Sequence, residues 1–198
     1  MSRKFTDKDT NPMSYEEFGK VVNKLIKKLE DYSKAKGVNF DIVAPLLRSG
    51  GVPGSIISIH FQITRIFPIQ FKWFYNPKLE LRKLLSIPKI LQNIPKNPNI
   101  LICETNTGTG ETAKAAIKLI RKQFPKCKLY YATVAKVFGS PNRFKEIEEY
   151  FYGIQTDENL IASKIQIKEL NLRKKITIFP WESVKHELDD INAVSLER

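Results

Sequence analysis

The segment from Ile102 to Ala113, ICETNTGTGETA, constrains the fold of this chain more than any other. Residues 100–102 are apolar, as expected for a buried strand, and an Ala- and Ile-rich run typical of a helix begins near Glu111. Between them, Glu104 is followed by a loop that contains only Thr, Asn and Gly. A strand that leads through such a loop into a helix directs backbone N–H groups and the positive end of the helix dipole to one place. The segment therefore predicts a strand–loop–helix unit.

Two interpretations of this loop remain open from its residues. Glycines let a backbone approach a phosphate closely, and the hydroxyls of Thr107, Thr109 and Thr112 can donate hydrogen bonds to it. Alternatively, the glycines only permit the bend between a strand and a helix. The loop is not a nucleotide-binding P-loop, because Glu111 and not a lysine follows Gly110.

A second strand–loop–helix pattern begins at Asp41, with the sequence DIVAPLLRSGGVPGSII. Arg48 can pair with two phosphate oxygens at once, and the adjacent Gly50 and Gly51 allow backbone amides to face a diphosphate. Pro53 suits the first turn of a helix. The alternative is an ordinary strand–helix loop with a surface arginine.

Two further segments have unusual composition. Residues 132–137, ATVAKV, form an apolar strand pattern with one charge, and residues 176–182 read ITIFPWE. An unpaired lysine is costly to bury, so Lys136 either extends toward solvent or meets a partner in a site.

In this order and spacing, the four segments resemble the type I phosphoribosyltransferases, and within them the xanthine, guanine and hypoxanthine enzymes. The resemblance extends from about residue 14 to residue 182. It implies an α/β fold with a central, mainly parallel sheet, helices on both faces and a small hood subdomain. The alternation of apolar strands and helices independently predicts a parallel sheet that is covered on both faces.

The resemblance also implies a reaction and a set of site residues. A phosphoribosyl group would pass from 5-phosphoribosyl diphosphate, with Mg²⁺, to hypoxanthine, guanine or xanthine, and pyrophosphate would be released. Glu104 would bind the ribose hydroxyls and the metal, and Lys136 would donate to the 6-oxo group of the base. The 5-phosphate would be bound by Thr107, Gly108, Thr109, Gly110, Glu111 and Thr112. The pyrophosphate would be bound by Arg48, Ser49, Gly50 and Gly51, and the base by Lys136, Ile176 and Thr177.

The chain departs from the family pattern at two positions. Gly108 occupies the place of the aspartate that handles a proton of the base, and Thr105 replaces the second acidic residue. An alignment shifted by a two-residue deletion places Asn106 in the aspartate position instead. Losing such a general base costs about 10²–10⁴-fold in rate. Asp157 and Glu158 are other acids that could reach the base.

Two functions follow. The favoured one is a purine phosphoribosyltransferase with an atypical base-handling residue. The other is a weak or inactive relative that binds a phosphoribosyl compound or a nucleotide as a sensor, and that could also contact RNA or DNA through its basic surface.

The chain of 198 residues carries a net charge of +12, which favours anionic partners. The basic residues are spread along the chain, so a solvated surface is favoured over a nucleic-acid interface. No apolar run is long enough to span a bilayer, the N-terminus has no apolar signal core, and the two cysteines cannot form a disulfide scaffold. We therefore expect a cytoplasmic protein without membrane contact, and the family habit implies a homodimer or homotetramer.

The remaining pattern divides the chain. Ser14 and Glu17 form a capping box that begins an amphipathic helix. Strands are expected near 40–46, 64–72, 99–104 and 129–136, and helices near 53–61 and 111–123. Residues 1–13 are expected to be a mobile lead, 14–182 one domain, and 183–198 a helical tail. A hood is expected at about 73–98 together with the C-terminal segment, with an irregular insertion as the alternative, and a further insertion is expected at 155–175.

Overall fold

A seven-stranded sheet forms the framework of the part of the chain that the computed structural model describes, residues 4–74, 78–88, 93–141 and 144–196. Strands β2 to β8 form this sheet, and β1 and β9 lie outside it. The strands of the described residues are β1 (Thr10–Pro12), β2 (Ile42–Leu47), β3 (Ile69–Phe74), β4 (Glu80–Leu85), β5 (Asn99–Thr107), β6 (Lys128–Val137), β7 (Ile147–Asp157), β8 (Arg173–Lys174) and β9 (Ile176–Ile178). The helices are α1 (Tyr15–Lys36), α2 (Gly51–His60), α3 (Glu111–Gln123), α4 (Lys164–Glu169) and α5 (Val184–Leu196).

The strand order in the large sheet is β4-β3-β2-β5-β6-β7-β8. Its strand pairs are parallel except for β4, which runs antiparallel to β3 at one edge. Such a sheet needs apolar cover on both faces. Helices α1 and α2 bury one face and α3 buries the other, which explains the near-continuous apolar strands β2, β5 and β6. The predicted α/β fold with a mainly parallel sheet is confirmed.

Helix α1 begins and ends where the sequence indicates. The Ser14 side chain accepts a hydrogen bond from the Glu17 N–H, and the Glu17 carboxylate accepts one from the Ser14 N–H. Gly37 ends the helix with a left-handed φ of 63°. The buried residues of the helix lie at helical spacing and pack on the sheet: Phe18, Val22, Leu25, Ile26 and Leu29.

A second, two-stranded sheet lies outside the large one. Strand β1 pairs in parallel with β9, and the Asn192 side chain of α5 hydrogen-bonds both the N–H and the carbonyl of Phe5. Ile176, Ile178 and Leu188 form the small apolar core of this unit. Residues 10–12 of the expected lead therefore lie in a strand, and the expected helical tail is α5.

The hood expected at about 73–98 stays a prediction, and part of that segment has a defined place in the structure. Residues 80–85 form the antiparallel edge strand β4 of the large sheet, and the small subdomain is built from the two ends of the described chain. Tyr75, the nearest echo of a family loop motif, lies outside the described residues.

Two other boundaries differ from the sequence prediction. Strand β3 begins at Ile69 and not near residue 64, because Ile66 makes only an isolated bridge to Val43. Strand β7 was not predicted at all, and its last residues, together with α4 and β8, occupy the expected insertion at 155–175. In the described ranges, every helix is too short or too polar to cross a membrane.

Gly50 sets the distance between the first helical turn of α2 and the two central strands. A Cβ at this position would lie 2.5 Å from the Leu46 carbonyl oxygen and 2.6 Å from the Cys103 carbonyl oxygen. The φ of Gly50 is −62°, so its backbone conformation would suit any residue. The glycine is therefore required by the close approach alone.

We expect Gly50→Ala to lower the free energy of unfolding by about 1–3 kcal/mol, the usual cost of overpacking a core. Gly19→Ala is the matched control, because a Cβ there meets no atom within 4 Å. Since alanine favours a helix interior over glycine, this control should stabilise the protein by about 0.5–1 kcal/mol. Urea denaturation of both variants measures the two changes, and equal stability of the Gly50 variant and the wild type would contradict this role.

Candidate active site

The loops that follow β2 and β5 lie side by side at one edge of the sheet. The two strands are parallel neighbours, with Ile42 to Pro45 opposite Ile100 to Cys103, so their carboxyl ends point the same way. Ligands of open α/β sheets bind at such strand ends. The two segments singled out in the sequence are therefore brought together by the fold.

The β5–α3 loop has the geometry of an anion cradle. Gly110 adopts a left-handed φ of 75°, and no side chain caps the N-terminus of α3 at this position. A Cβ on Gly110 would also lie 2.8 Å from the Phe144 ring, so the loop requires glycine here. Gly108 and Thr109 are exposed, and the first N–H groups of α3 follow directly. The Glu111 carboxylate pairs with Lys114 at 2.8 Å on the surface of the helix.

Thr107 lies below this loop and not in it. Its side chain is buried, and its hydroxyl hydrogen-bonds the Tyr131 hydroxyl at 2.9 Å. The structure therefore leaves Thr109 and Thr112 as the loop hydroxyls that are at least partly accessible to a phosphate.

In the β2–α2 loop, side chains are more available to a ligand than the glycine N–H groups, which already donate to backbone carbonyls. The N–H groups of Gly50 and Gly51 donate to the carbonyls of Leu46 and Arg48, both at 3.0 Å. Arg48 is exposed, and the Ser49 hydroxyl donates to the Glu182 carboxylate at 3.2 Å. The arginine is thus the group in this loop best placed to pair with a diphosphate.

A cavity of about 560 Å³ opens beside the β5–α3 loop. It is walled by the ends of β5, β6 and β7, by β9 and by α5. Its lining residues are Phe5, Asn106, Gly108, Thr109, Val137, Gly139, Ser140, Pro141, Glu158, Asn159, Ile176, Glu187 and Ile191. A larger recess of about 730 Å³ lies between residues 4–8 and α5, but no loop at the carboxyl edge of the sheet contributes to it.

Glu158 is the most deeply buried carboxylate of this cavity, with 8% of its surface exposed. One oxygen accepts from the Asn106 side-chain amide at 2.8 Å, and the other accepts from the Thr177 N–H at 3.2 Å. Burial raises the pKa of Glu158 to about 7, although both hydrogen bonds oppose the rise. The carboxylate is therefore fixed in position and poised to titrate near neutral pH.

Three other carboxylates surround this edge of the sheet. Burial raises the pKa of Glu104 to about 8 and that of Glu187 to about 7, and it also raises the pKa of Glu182. Glu104 accepts from the Thr105 N–H at 3.0 Å, and Glu182 accepts from the Phe179 N–H at 2.9 Å. The charge of Glu182 contributes to the raised pKa of each of the others, so the four acids form one electrostatic group.

Lys136 does not line the cavity. Its Nζ lies 5.6 Å from the centre of the Tyr150 ring and 5.4 Å from that of Tyr152, and its pKa is lowered by burial. Side chains alternate along a strand, and the next residue, Val137, is the one that lines the cavity. The lysine expected to donate to the base is thus directed toward two tyrosines of β7.

Of the two residues expected at the base from β9, Ile176 lines the cavity, whereas Thr177 contributes its N–H to Glu158. The sequence analysis overlooked Asn106 as a partner of Glu158, and it overlooked Glu187. Glu158 was named from the sequence as an acid that could reach the base, but its place at the end of a strand was not predicted, because β7 was not predicted.

Comparison with known proteins identifies the family and the fold. A family model described as a phosphoribosyl transferase domain matches residues 14–170. No curated protein sequence matches the chain.

Three solved structures share the fold at low identity. A purine phosphoribosyltransferase from Pyrococcus horikoshii has a TM-score of 0.62 and 17% identity, covering 88% of this chain and 95% of its own. A hypothetical protein from Neisseria gonorrhoeae with bound ppGpp has a TM-score of 0.64 and 15% identity, covering 94% and 97%. The xanthine-guanine-hypoxanthine phosphoribosyltransferase of Helicobacter pylori has a TM-score of 0.56 and 16% identity, covering 91% and 99%.

The family model spans most of the chain, and it includes both loops at the carboxyl edge of the sheet. The resemblance predicted from the four sequence segments is confirmed, as is the expectation of a phosphoribosyltransferase. The chain belongs to the phosphoribosyltransferase family.

Proposed function

We propose that this protein transfers a phosphoribosyl group from 5-phosphoribosyl diphosphate to an oxopurine and releases pyrophosphate. The observation that carries the proposal is the uncapped N-terminus of α3, behind a glycine loop that opens into a 560 Å³ cavity. A helix N-terminus with accessible amides favours a phosphate, and the cavity is of a size typical of small-molecule sites.

The 5-phosphate would lie against the β5–α3 loop. The backbone N–H groups of Gly110, Glu111 and Thr112 and the hydroxyls of Thr109 and Thr112 are the donors available there. Glu104, which lies in β5 before the loop, would accept hydrogen bonds from the ribose hydroxyls. Burial raises the pKa of Glu104 to about 8, and an approaching cation or hydroxyl donor favours its ionised form.

The diphosphate would lie against the β2–α2 loop. Arg48 supplies a planar group that can bind two phosphate oxygens, and it stabilises the charge that the leaving diphosphate acquires. Ser49 adds a hydroxyl that is held in place by Glu182.

The residues at this edge fit a magnesium ion that is bound mainly by substrate and water. Among the described residues, no group of three or more His, Cys, Asp or Glu could hold a metal by itself. Mg²⁺ commonly binds through one or two carboxylates together with substrate phosphates and waters. Glu104 would hold the ion, which when bound neutralises part of the charge on the diphosphate.

The first experiment is to incubate the protein with Mg²⁺ and 5-phosphoribosyl diphosphate against hypoxanthine, guanine, xanthine, adenine, uracil and orotate. Chromatographic separation of the products identifies any new nucleotide. We expect an oxopurine nucleotide and an equal amount of pyrophosphate. Failure to convert any of these bases would contradict the proposal.

Two substitutions in the phosphate loop should have different effects on KM for 5-phosphoribosyl diphosphate. Thr109→Val removes a hydroxyl without changing shape, and a hydrogen bond to a charged group contributes about 1.5–3 kcal/mol, so KM for 5-phosphoribosyl diphosphate should rise about tenfold or more. Glu111→Gln removes a negative charge near the phosphate and keeps the backbone amide, so KM should stay equal or fall. Steady-state kinetics measures both, and equal increases would show that the loop is merely disturbed.

The role of Lys136 as donor to a 6-oxo group stays a prediction, and Lys136→Met tests it. A donor role predicts that the preference for oxopurines over adenine falls at least tenfold, because methionine cannot donate a hydrogen bond to the 6-oxo oxygen. The ring contacts of Lys136 instead predict an unchanged preference, with the change confined to thermal stability. Competition between hypoxanthine and adenine distinguishes the two results.

A ligand sensor is the second candidate, because the Neisseria gonorrhoeae structure with the same fold contains ppGpp. A sensor would bind a guanosine polyphosphate or 5-phosphoribosyl diphosphate through the same phosphate loop without turnover. Titration calorimetry with ppGpp, with and without the Thr109→Val change, tests this function. A nucleic-acid role would appear as a salt-dependent affinity that the nucleotide alters; an affinity indifferent to the nucleotide would argue against it.

The cytoplasmic location and the homodimer or homotetramer stay predictions. Size-exclusion chromatography with light scattering tests the oligomeric state.

A further inference from the structure

The proposed transfer creates a proton that the site must accept. A neutral purine carries one N–H on its five-membered ring, and the nucleotide product carries none. A group beside the base must therefore take that proton. At Gly108, beside the phosphate loop, there is no side chain to do so.

Two described acids line the cavity, Glu158 and Glu187. Arg48 lowers the pKa of Glu187 while neighbouring acids and burial raise it, so Glu187 is coupled electrostatically to the β2–α2 loop. Glu158 lies deeper and is fixed through both oxygens, by Asn106 on one side and by the Thr177 N–H on the other. A general base needs such a fixed position within reach of the proton.

Gly108 and Glu158 follow the two strands that flank β6 in the sheet, and both line the same cavity. Gly108 follows β5 and Glu158 follows β7, and both line the 560 Å³ cavity with Asn106 between them in hydrogen-bond contact with Glu158. A base bound next to the phosphate loop would therefore be within the space that both positions border.

We propose that Glu158 is the proton acceptor of this reaction and that Asn106 is its positioning residue. This inference rests on the proposed transferase function. As the ring nitrogen of the purine forms a bond with C1 of the ribose, the bond between C1 and the diphosphate oxygen breaks. Its electron pair leaves with the diphosphate. The proton of the purine N–H passes to the ionised carboxylate of Glu158, which later returns it to water.

The proposed role of Glu158 makes kcat depend on pH. Burial is the main cause that raises the pKa of Glu158 to about 7, and the charge of Glu182 adds to it. Among the described residues, Glu182 after β9 and Glu187 on α5 are the charged groups coupled to Glu158, and the groups that lower its pKa, Asn106, Thr156 and Thr177, are neutral. Only the ionised carboxylate can accept the proton, so kcat should rise between pH 6 and pH 8.

The test compares the wild type with Glu158→Gln. Glutamine can keep the hydrogen bond from the Thr177 N–H. The Asn106 Oδ1 is buried and has no partner among the described residues, so a rotated Asn106 amide could accept from the new amide group. The variant should therefore fold, which its thermal unfolding checks. Glu169→Gln, an exposed carboxylate at the end of α4, is the surface control.

We expect Glu158→Gln to lower kcat by about 10²–10⁴-fold, the usual effect of losing a general base, and to remove the rise with pH. Its Kd for 5-phosphoribosyl diphosphate should stay within about threefold, because Glu158 does not belong to the phosphate loop. The Glu158→Asp variant should keep the pH-dependent rise at a lower rate, so it provides a second test if the glutamine variant unfolds.

A rescue separates chemistry from structure. A Cβ at Gly108 would meet no atom within 4 Å, so Gly108→Asp can be combined with Glu158→Gln. The kcat of the double variant should be at least tenfold higher than that of Glu158→Gln alone. The inference is overturned if Glu158→Gln retains the wild-type kcat and pH profile. It is also overturned if Glu158→Gln lowers kcat but leaves the pH profile unchanged, and Gly108→Asp restores none of the lost activity. A wild type that forms no nucleotide from any base would overturn the proposed function as well.

Discussion

The parallel pairing of β2 with β5 is the constraint on which the rest of the site depends. It places the ends of two strands, and hence the loops after Leu47 and Thr107, at one edge of the sheet. Gly50 keeps the first turn of α2 in contact with the carbonyls of both strands. Any larger residue there would separate the arginine loop from the glycine loop, so the site geometry and the packing of the core share one cause.

Burial of acids at this edge gives the site its chemistry. In the described part of the chain, no ion pair joins Glu104, Glu158, Glu182 or Glu187 to a cationic side chain. Their raised pKa values are therefore mainly a result of lost hydration, and the charge of Glu182 adds to those of Glu104, Glu158 and Glu187. Such a group of carboxylates is suited to a ligand that brings hydroxyl donors or a cation, such as a sugar with a bound divalent ion.

Much of the fold could be predicted because the signals were local. The capping box at Ser14, the apolar strands and the glycine loops identified α1, the parallel sheet and both strand-end loops. The failures have a different origin. Strand β7, with the sequence IEEYFYGIQTD, lacks a clean apolar pattern because β8 pairs only with its last two residues, so the rest of β7 is exposed on that side of the sheet. The side on which Lys136 lies depends on strand phase, and the partners of Glu158 lie 52 and 19 residues away in the chain. Such contacts are not visible in a sequence.

In the proposed function, the two loops hold 5-phosphoribosyl diphosphate while its C1 carbon is transferred to a purine nitrogen. The most direct measurement is nuclear magnetic resonance of 5-phosphoribosyl diphosphate labelled with carbon-13 at C1, with the protein, Mg²⁺ and hypoxanthine. The account predicts that the C1 signal moves from the position of a diphosphate ester to that of a carbon bonded to a purine nitrogen. A signal that stays unchanged, or that moves only to free ribose 5-phosphate, would contradict it.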